Sequence, residues 1–438
     1  MRVSCHSLDR LDVTFDDERL VANAGLVLPA TLAQHLGLRE LFEEHVDLGD
    51  AAGRANVGHK AMTLVHSALA GGDSIDDADV LRSGDTGAVL GHGILAPSTL
   101  GTFLRSFSWG HARQLDKVAG ELLGRAWAAG AGPGSAPVTI DVDSTICETY
   151  GLAKQGGVFG HTKVRGYHPL VAAVAGAGEV VHSRLRGGNA HSARGAAGFL
   201  TETFNRVRTA GASGPLTLRA DSGFYNHKVV DACRGADVRF SITAKMSKGL
   251  RTRIEEIDEA RWTPIPYFLD GADVAETTYR PFGAKGRDCR LIVRRVRPTP
   301  GSQLALFVEF SYHAFITDRV GTTLELEADH RRHAEIENVI RDLKYGVGLN
   351  HLPSGRFGAN AAWLGLNVIA HNLARFSSRL GIEGPPITTE TYRRRYVCMP
   401  GRMTRSARRF TLHLPARWPR ADRFIAALER HRDIVPQT

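Results

Sequence analysis

The stretch 138-VTIDVDST-145 decides how the chain folds. Val138, Ile140 and Val142 alternate with Thr139, Asp141 and Asp143, the period of a strand with one apolar face. The strand runs out in an aspartate followed by two small hydroxyl residues. A second stretch, 216-LTLRADSGF-224, repeats the design: Leu216, Leu218 and Ala220 face one way, Thr217, Arg219 and Asp221 the other. Carboxylates at strand ends are well placed to face a cleft beside a sheet. An aspartate in this context is also a common helix cap or turn residue, so the pair alone does not define a site.

Around these two stretches, "HPLVAAVAG" and "GEVVHSRLRGG" read as strands about a glycine turn. A helix capped by Ser192 then runs to about Thr209, a short helix starts at Asn226, and "VRFSITAK" is a further strand. Three strands, helix, strand, helix, strand predicts an α/β core: a mixed sheet with helices packed on it. Upstream, "LPATLAQHLGLRELFEEHV" and "HKAMTLVHSALAGG" have helical apolar spacing, and acidic "DSIDDADVLRSG" leads into a short helix. "APSTLGTFLRSF" predicts a helix capped by Ser98 with Leu100, Phe103 and Leu104 on its apolar face. It reads either as the second helix of a DNA-binding helix-turn-helix or as a core helix. "AAGAGPGSAP" is a linker. From about 250 to 318 the rhythm breaks, and "CRLIVRRVRP" and "QLALFVEFSYHAFITD" read as antiparallel strands of a β-rich insertion. The partition is a helical N-terminal domain (1–130), the first part of the core (131–249), the insertion (250–318), a core-completing helix (319–380) and a basic C-terminal segment (381–438).

A length of 438 residues implies two or three domains. The net charge of +9 points to a polyanionic partner. The five cysteines are scattered and form no CxxC pair, which argues against a disulfide framework and a thiolate zinc site. No HExxH and no GxxxxGK[ST] occurs, so neither zinc nor ATP use is indicated. The N-terminus has no apolar signal region and no segment approaches the ~18 apolar residues of a membrane span, so a cytoplasmic protein is expected.

The third acid comes from 330-HRRHAEIENVIRDLKYG-346. At ~100° per residue, Ile336, Ile340, Leu343 and Val347 form an apolar stripe. His333, Glu337 and Lys344 lie along its edge, with His330 and Arg341 slightly further round. Ordinary helix-surface pairing accounts for a glutamate and an arginine four residues apart. It does not account for so many cations beside one acid, whereas three carboxylates holding Mg²⁺, with the cations gripping flanking phosphates, would. Asp141 competes with Asp143 for the first position, since both point to one strand face, and Glu335 is the rival of Glu337.

The stretches "DVDSTICETYG", "KVRGYHPLVA", "GGNAHSARGA", "RADSGFY", "AEIENVIRDLKYGVGLNHLPSGRFGANAAW" and "RRFTLHLPARWP" resemble the bacterial insertion-sequence transposases of the DDE class, in the group with a β-rich insertion before the catalytic glutamate. The resemblance spans nearly the whole chain. It implies an RNase H-like core, with Asp143, Asp221 and Glu337 as catalytic metal ligands for Mg²⁺, Mn²⁺ substituting. It places the acid directly before the small hydroxyl pair, which favours Asp143 over Asp141, and its glutamate–lysine spacing selects Glu337. It further implies hydrolysis at the element's ends and strand transfer into a target. The partner is double-stranded DNA, both terminal inverted repeats and target, held by a synaptic homodimer in a nucleoid-associated protein. The group's Y-x2-R-x3-E-x6-K signature reads here as His330, His333, Glu337 and Lys344, so its first two positions depart from the pattern. Two rivals use the same features: a structure-specific nuclease without strand transfer, and an inactive DNA-binding protein.

Further DNA contacts are expected at Lys163 and Arg165, and along the segment from Thr391 to Arg420, which has nine arginines and no acid. Aromatic and leucine residues interleave with these arginines, so the segment is expected to fold. Arg405, Arg408 and Arg409 are its candidate phosphate contacts. His191, just before the expected helix cap, reads as structural.

Overall fold

The structure, a computed structural model, describes residues 8–160, 163–266, 271–298 and 310–436. After a two-residue strand, β1 (Leu20–Val21), the N-terminal periodicity is realised as α1 (Val27–His35) and α2 (Leu38–His45). The two separate at Gly37, whose φ of +64° is open to glycine because it has no Cβ. Next come α3 (Val57–Ala70), α4 (Ala78–Arg82), α5 (Thr86–Leu90), α6 (Pro97–Arg105) and α7 (Trp109–Ala126). In α6 the cap is Ala96, not Ser98, because Pro97 presets the helical φ at the first position. Its expected face holds: Leu100, Phe103 and Leu104 are buried, and the helix packs on α3 as a core helix does.

The alternating stretch forms β2 (Val138–Ser144). Directly after it, β3 (Cys147–Glu148), β4 (Val158–Phe159) and β5 (Arg165–Tyr167) make a small antiparallel sheet in the order β3-β5-β4. β6 (Leu170–Val174) and β7 (Val180–Arg184) then add antiparallel to one side of β2. On the other side lie β8 (Leu216–Ala220) and β9 (Val238–Thr243), both parallel to it. Three antiparallel strands followed by two parallel ones make this an RNase H-like mixed sheet. The parallel strands are linked through α8 (Ala196–Thr209) and α9 (His227–Gly235). α8 ends at Thr209 as expected but begins after Gly195, which takes φ +71°, so Ser192 does not cap it.

After α10 (Lys248–Glu255), the insertion supplies β10 (Thr263–Pro264), β11 (Ala272–Tyr279), β12 (Cys289–Val296) and β13 (Ser311–Thr317). The part of the last expected strand at 303–309 lies outside the described residues. β13 bonds antiparallel to β9, so the insertion lengthens the core sheet to nine strands, in the order β10-β11-β12-β13-β9-β8-β2-β6-β7.

The glutamate-bearing segment is less regular than its sequence suggests. α11 (Thr323–Arg331), opened by a Thr322/Glu325 capping box, tightens through one turn at 332–334 before α12 (Glu335–Arg341). The run then widens into a turn over Asp342–Gly346. The expected stripe of Ile336, Ile340, Leu343 and Val347 is buried. A long buried helix, α13 (Phe357–Gly381), is followed by α14 (Thr389–Tyr392). The basic segment folds into a hairpin, β14 (Gly401–Ser406) and β15 (Arg409–His413), and α15 (Ala421–Arg432). β14 pairs with β1, and α15 packs on α1 and α13, so the two ends of the chain close on each other. Among the described residues no helix is long and apolar enough to cross a membrane.

Asp342 anchors the wide turn. Its buried carboxylate accepts from the Thr389 amide at 2.9 and 3.0 Å and from the Thr389 hydroxyl at 3.0 Å, with Arg375 and His371 each at 3.4 Å. Burial alone would raise its pKa, but His371, the Thr389 amide and Arg375 outweigh it and hold the group at about 2. A lowered carboxyl pKa stabilises the fold above the unfolded value and loses that contribution as pH falls through the folded one. Asp342→Asn is therefore expected to cost about 2 kcal/mol at neutral pH. In urea unfolding at a series of pH values, the gap from the parent should narrow between about pH 4 and pH 2. A gap constant with pH would show that the carboxylate's charge contributes nothing.

Candidate active site

Parallel pairing of β2 with β8 sets Val142 opposite Ala220, so the next residues, Asp143 near the end of β2 and Asp221 just past β8, stand side by side. Asp143 accepts the Ser144 amide at 2.6 Å, and Asp221 caps the tight turn that follows β8 by accepting the Gly223 amide at 3.0 Å. The cap is thus the local role that a D-S-G sequence favours, and it leaves the second carboxylate oxygen free of this bond. α12 lies against β2 and β6 with Glu337 on its exposed side.

The three acids share one electrostatic field. Burial pushes Asp143 up to about 6, with the charges of Asp221 and Glu337 adding to it and the Ser144 amide and His333 opposing. Repulsion of this kind is what a bound cation relieves, and an all-oxygen donor set suits a hard divalent ion. Among the described residues, no group of three His, Cys, Asp or Glu side chains is already gathered as metal ligands. Asp143 and Asp221 lie at the ends of two central strands, near enough to Glu337 for its charge to act on Asp143, without being closed into a coordination shell.

Asp141 is engaged elsewhere. It is 1% exposed and is held by Arg219, its cross-strand neighbour, through Nε–Oδ1 and Nη2–Oδ2 contacts of 2.8 Å each. The remaining nitrogen of Arg219 donates to the Asp329 carbonyl at 2.6 Å and to its Oδ1 at 3.2 Å. This buried guanidinium therefore joins β2, β8 and α11. Sequence reading put Arg219 on the acid-bearing strand face but gave it no role; the signal available was a lone arginine between apolar positions, in step with Asp141. Glu335 pairs with Arg332 at 2.9 Å.

The expected DNA contacts fall into two groups. His330 lies stacked on Phe315, with its ring nitrogens bonded to the Ser241 and Thr243 hydroxyls at 2.8 and 3.0 Å. Desolvation, with His333, Arg219, Arg294 and Arg319 nearby, pushes its pKa down to about 3. Arg165 spends its guanidinium on the backbone carbonyls of Gly151, Leu152 and Gly157. The other residues face the cleft or solvent. His333 Nε2 is 3.2 Å from the Val142 carbonyl, and Lys344 donates to the Ile146 carbonyl at 2.8 Å, so both flank Asp143. Arg341 is exposed and bonded to Asn338, and Lys163 is exposed beyond β4. Arg405, Arg408 and Arg409 are exposed around the β14–β15 turn, Arg405 over the Phe410 ring, away from the three acids in sequence. Ser192, expected as a helix cap, instead bonds the Ser144 hydroxyl at 2.9 Å, and Gly223, which sequence reading passed over, leaves no room for a Cβ beside Ser192. His191 accepts from the Ala193 amide at 3.2 Å, a turn role.

The sequence matches the family described as "Transposase DDE domain group 1" over residues 3–435, and the chain belongs to that family. It is a DNA transposase, an enzyme of the nuclease and strand-transferase class that works with divalent metal ions. Among solved structures it is similar to one described as a piggyBac transposase synaptic complex with hairpin DNA, determined by cryo-electron microscopy. The identity is 10% and the TM-score 0.42, over 85% of this chain and 79% of that one. Among curated proteins none matches.

Arg219 supplies a test of how the site is held. Arg219→Ala strands a buried Asp141 carboxylate and is expected to cost ~3–5 kcal/mol in chemical denaturation. Removing both charges in Arg219→Met with Asp141→Leu should recover much of that loss. A cost below about 1 kcal/mol for the single variant would mean that the pair does not anchor the sheet.

Proposed function

We propose that Asp143, Asp221 and Glu337 are the metal-ligating catalytic acids of this transposase, with Mg²⁺ the working ion and Mn²⁺ a substitute. The observation that supports this reading is the parallel register of β2 and β8, which sets Asp143 beside Asp221, with the charge of Glu337 on α12 also acting on Asp143. Bound there, the divalent ions would supply Lewis-acid stabilisation of the phosphate and a lowered pKa for the attacking oxygen. The chain orients the reactants: the Ser144 and Gly223 amides fix the two aspartates, and Lys344 sets a cation beside the phosphate. A water attacks the phosphodiester at the element's end and the leaving 3′-oxygen takes up a proton. The freed 3′-hydroxyl then gives up its proton and attacks a target phosphodiester, and the new P–O bond forms as the target strand's own 3′-oxygen leaves and takes up a proton.

Phosphate contact is assigned to Arg341, Lys344 and Lys163 near the site and to Arg405, Arg408 and Arg409 on the hairpin. His330 and Arg165 are assigned structural roles, since their nitrogens are spent on protein groups. His333, where the family has arginine, is assigned to hold the Val142 carbonyl next to Asp143. The DNA bound is the pair of terminal inverted repeats and the target, held by a homodimer in the nucleoid-associated cytoplasm.

Asp143→Ala, Asp221→Ala and Glu337→Ala are each expected to lower Mg²⁺-dependent cleavage by several orders of magnitude while end binding persists, and chelation should do the same. Full activity in Asp143→Ala would overturn the assignment. Products in which cleaved ends are joined to a second DNA separate a transposase from a simple nuclease.

Replacing Arg405, Arg408 and Arg409 with alanine should flatten the salt dependence of DNA binding. Each lost phosphate contact is expected to lower the slope of log K against log salt by about 0.9. An unchanged slope would show the hairpin to be a solvated surface.

A further inference from the structure

The small sheet that leaves the end of β2 has an unusual tip. Tyr150, Leu152 and Phe159 are 80%, 90% and 65% exposed, and Val158 beside them is 38% exposed. Single exposed apolar residues are ordinary; four within ten residues, on β4 and the loop leading into it, are a concentration of exposed apolar surface of the kind that marks interaction sites.

The backbone beneath this tip is braced. Arg165 donates to the Gly157 carbonyl at 2.7 Å, to that of Leu152 at 2.6 Å and to that of Gly151. The Tyr167 hydroxyl donates to the Gln155 carbonyl at 2.8 Å, and the Gln155 amide to Gly355 at 2.9 Å. Lys154 reaches the Leu352 carbonyl, and the Gly188 amide the Gly156 carbonyl at 3.1 Å. Apolar side chains are thus held out in water on a fixed scaffold instead of folding back onto the protein.

Position and charge identify what covers them. The sheet starts four residues after Asp143, and Lys344, on the Glu337-bearing run, pins its root by donating to Ile146. Residues 147–167 contain one acid, Glu148, against Lys154, Lys163 and Arg165. A polyanion with flat apolar faces fits this combination. Duplex DNA buries those faces in its own stack, so the matching form is DNA with unpaired bases.

We propose that this flap is a stacking platform for unpaired DNA bases next to the scissile phosphate. Tyr150 and Phe159 stack on bases, Leu152 packs against them, and Arg165 is a positioning residue that holds the tip. The inference rests on the assignment of Asp143 to the reaction centre.

The test uses the full chain without metal, with fluorescence anisotropy of labelled oligothymidylate and of a blunt duplex of equal length. Tyr150→Ala and Phe159→Ala should each weaken oligothymidylate binding about tenfold, leaving duplex binding unchanged. Phe159→Trp should restore it, a rescue that a merely structural role would not give. Arg165→Met should weaken single-strand binding alone. Equal losses on both DNAs, no loss on either, or a changed sedimentation mass in the alanine variants would overturn the proposal; the last would mean that a second copy of the chain covers the patch. Because this readout needs no cleavage, its failure is distinguishable from failure of the carboxylate assignment, which shows as metal-dependent cleavage surviving in Asp143→Ala.

Discussion

The buried contact of Arg219 with Asp141 and Asp329 is the constraint on which the site depends. Moving two ions out of water costs several kcal/mol each, and close bidentate geometry with the remaining donors satisfied is what offsets it. Here both carboxylate oxygens of Asp141 and all three guanidinium nitrogens of Arg219 are matched. A slip of register between β2 and β8 would leave these charges unpaired in the core, so the parallel alignment is strongly specified. That same alignment brings Asp143 and Asp221 together two residues further on.

The Glu337 run is held at one end by the half-buried Asp329 and at the other by the buried Asp342. Asp329 ties α11 to the sheet through Arg219, and Asp342 ties the wide turn to α13 and α14 through Arg375, His371 and Thr389. Between these clamps the apolar stripe is sealed, and Glu337 is left on the outer side. The tight turn before α12 and the wide turn after it change the helical phase, so straight-helix geometry does not give the final aim of Lys344. Its ammonium ends on the Ile146 carbonyl and couples the helix to the flap.

The insertion and the C-terminal segment follow from edge pairing. β9 would be an unpaired edge of the core without β13, and exposed edges are liabilities that folds tend to cover. Pairing of β14 with β1 and packing of α15 on α1 and α13 draw the basic hairpin onto the same body as the sheet.

Local periodicity determined much of this protein. Alternation in 138–143 and 216–221, the helical stripe of Ile336, Ile340 and Leu343, and the acids at the ends of two strands were legible because each pattern lies within a few residues. The preference for Asp143 over Asp141 came from resemblance; that Asp141 is already paired is visible only in the fold. Asp141 meets an arginine 78 residues away, which in turn meets Asp329 a further 110 residues on. Likewise His330 and Arg165 read as DNA contacts in the sequence, yet tertiary packing supplies hydroxyls and carbonyls that occupy them. Ser98 and Ser192 have the chemistry of helix caps, but Pro97 and the left-handed Gly195 set the actual helix starts. Side-chain type and spacing determine which element forms and which chemistry it carries. Burial decides which charged groups remain available, because a charge taken out of water must be paired, and its partner is chosen by three-dimensional proximity.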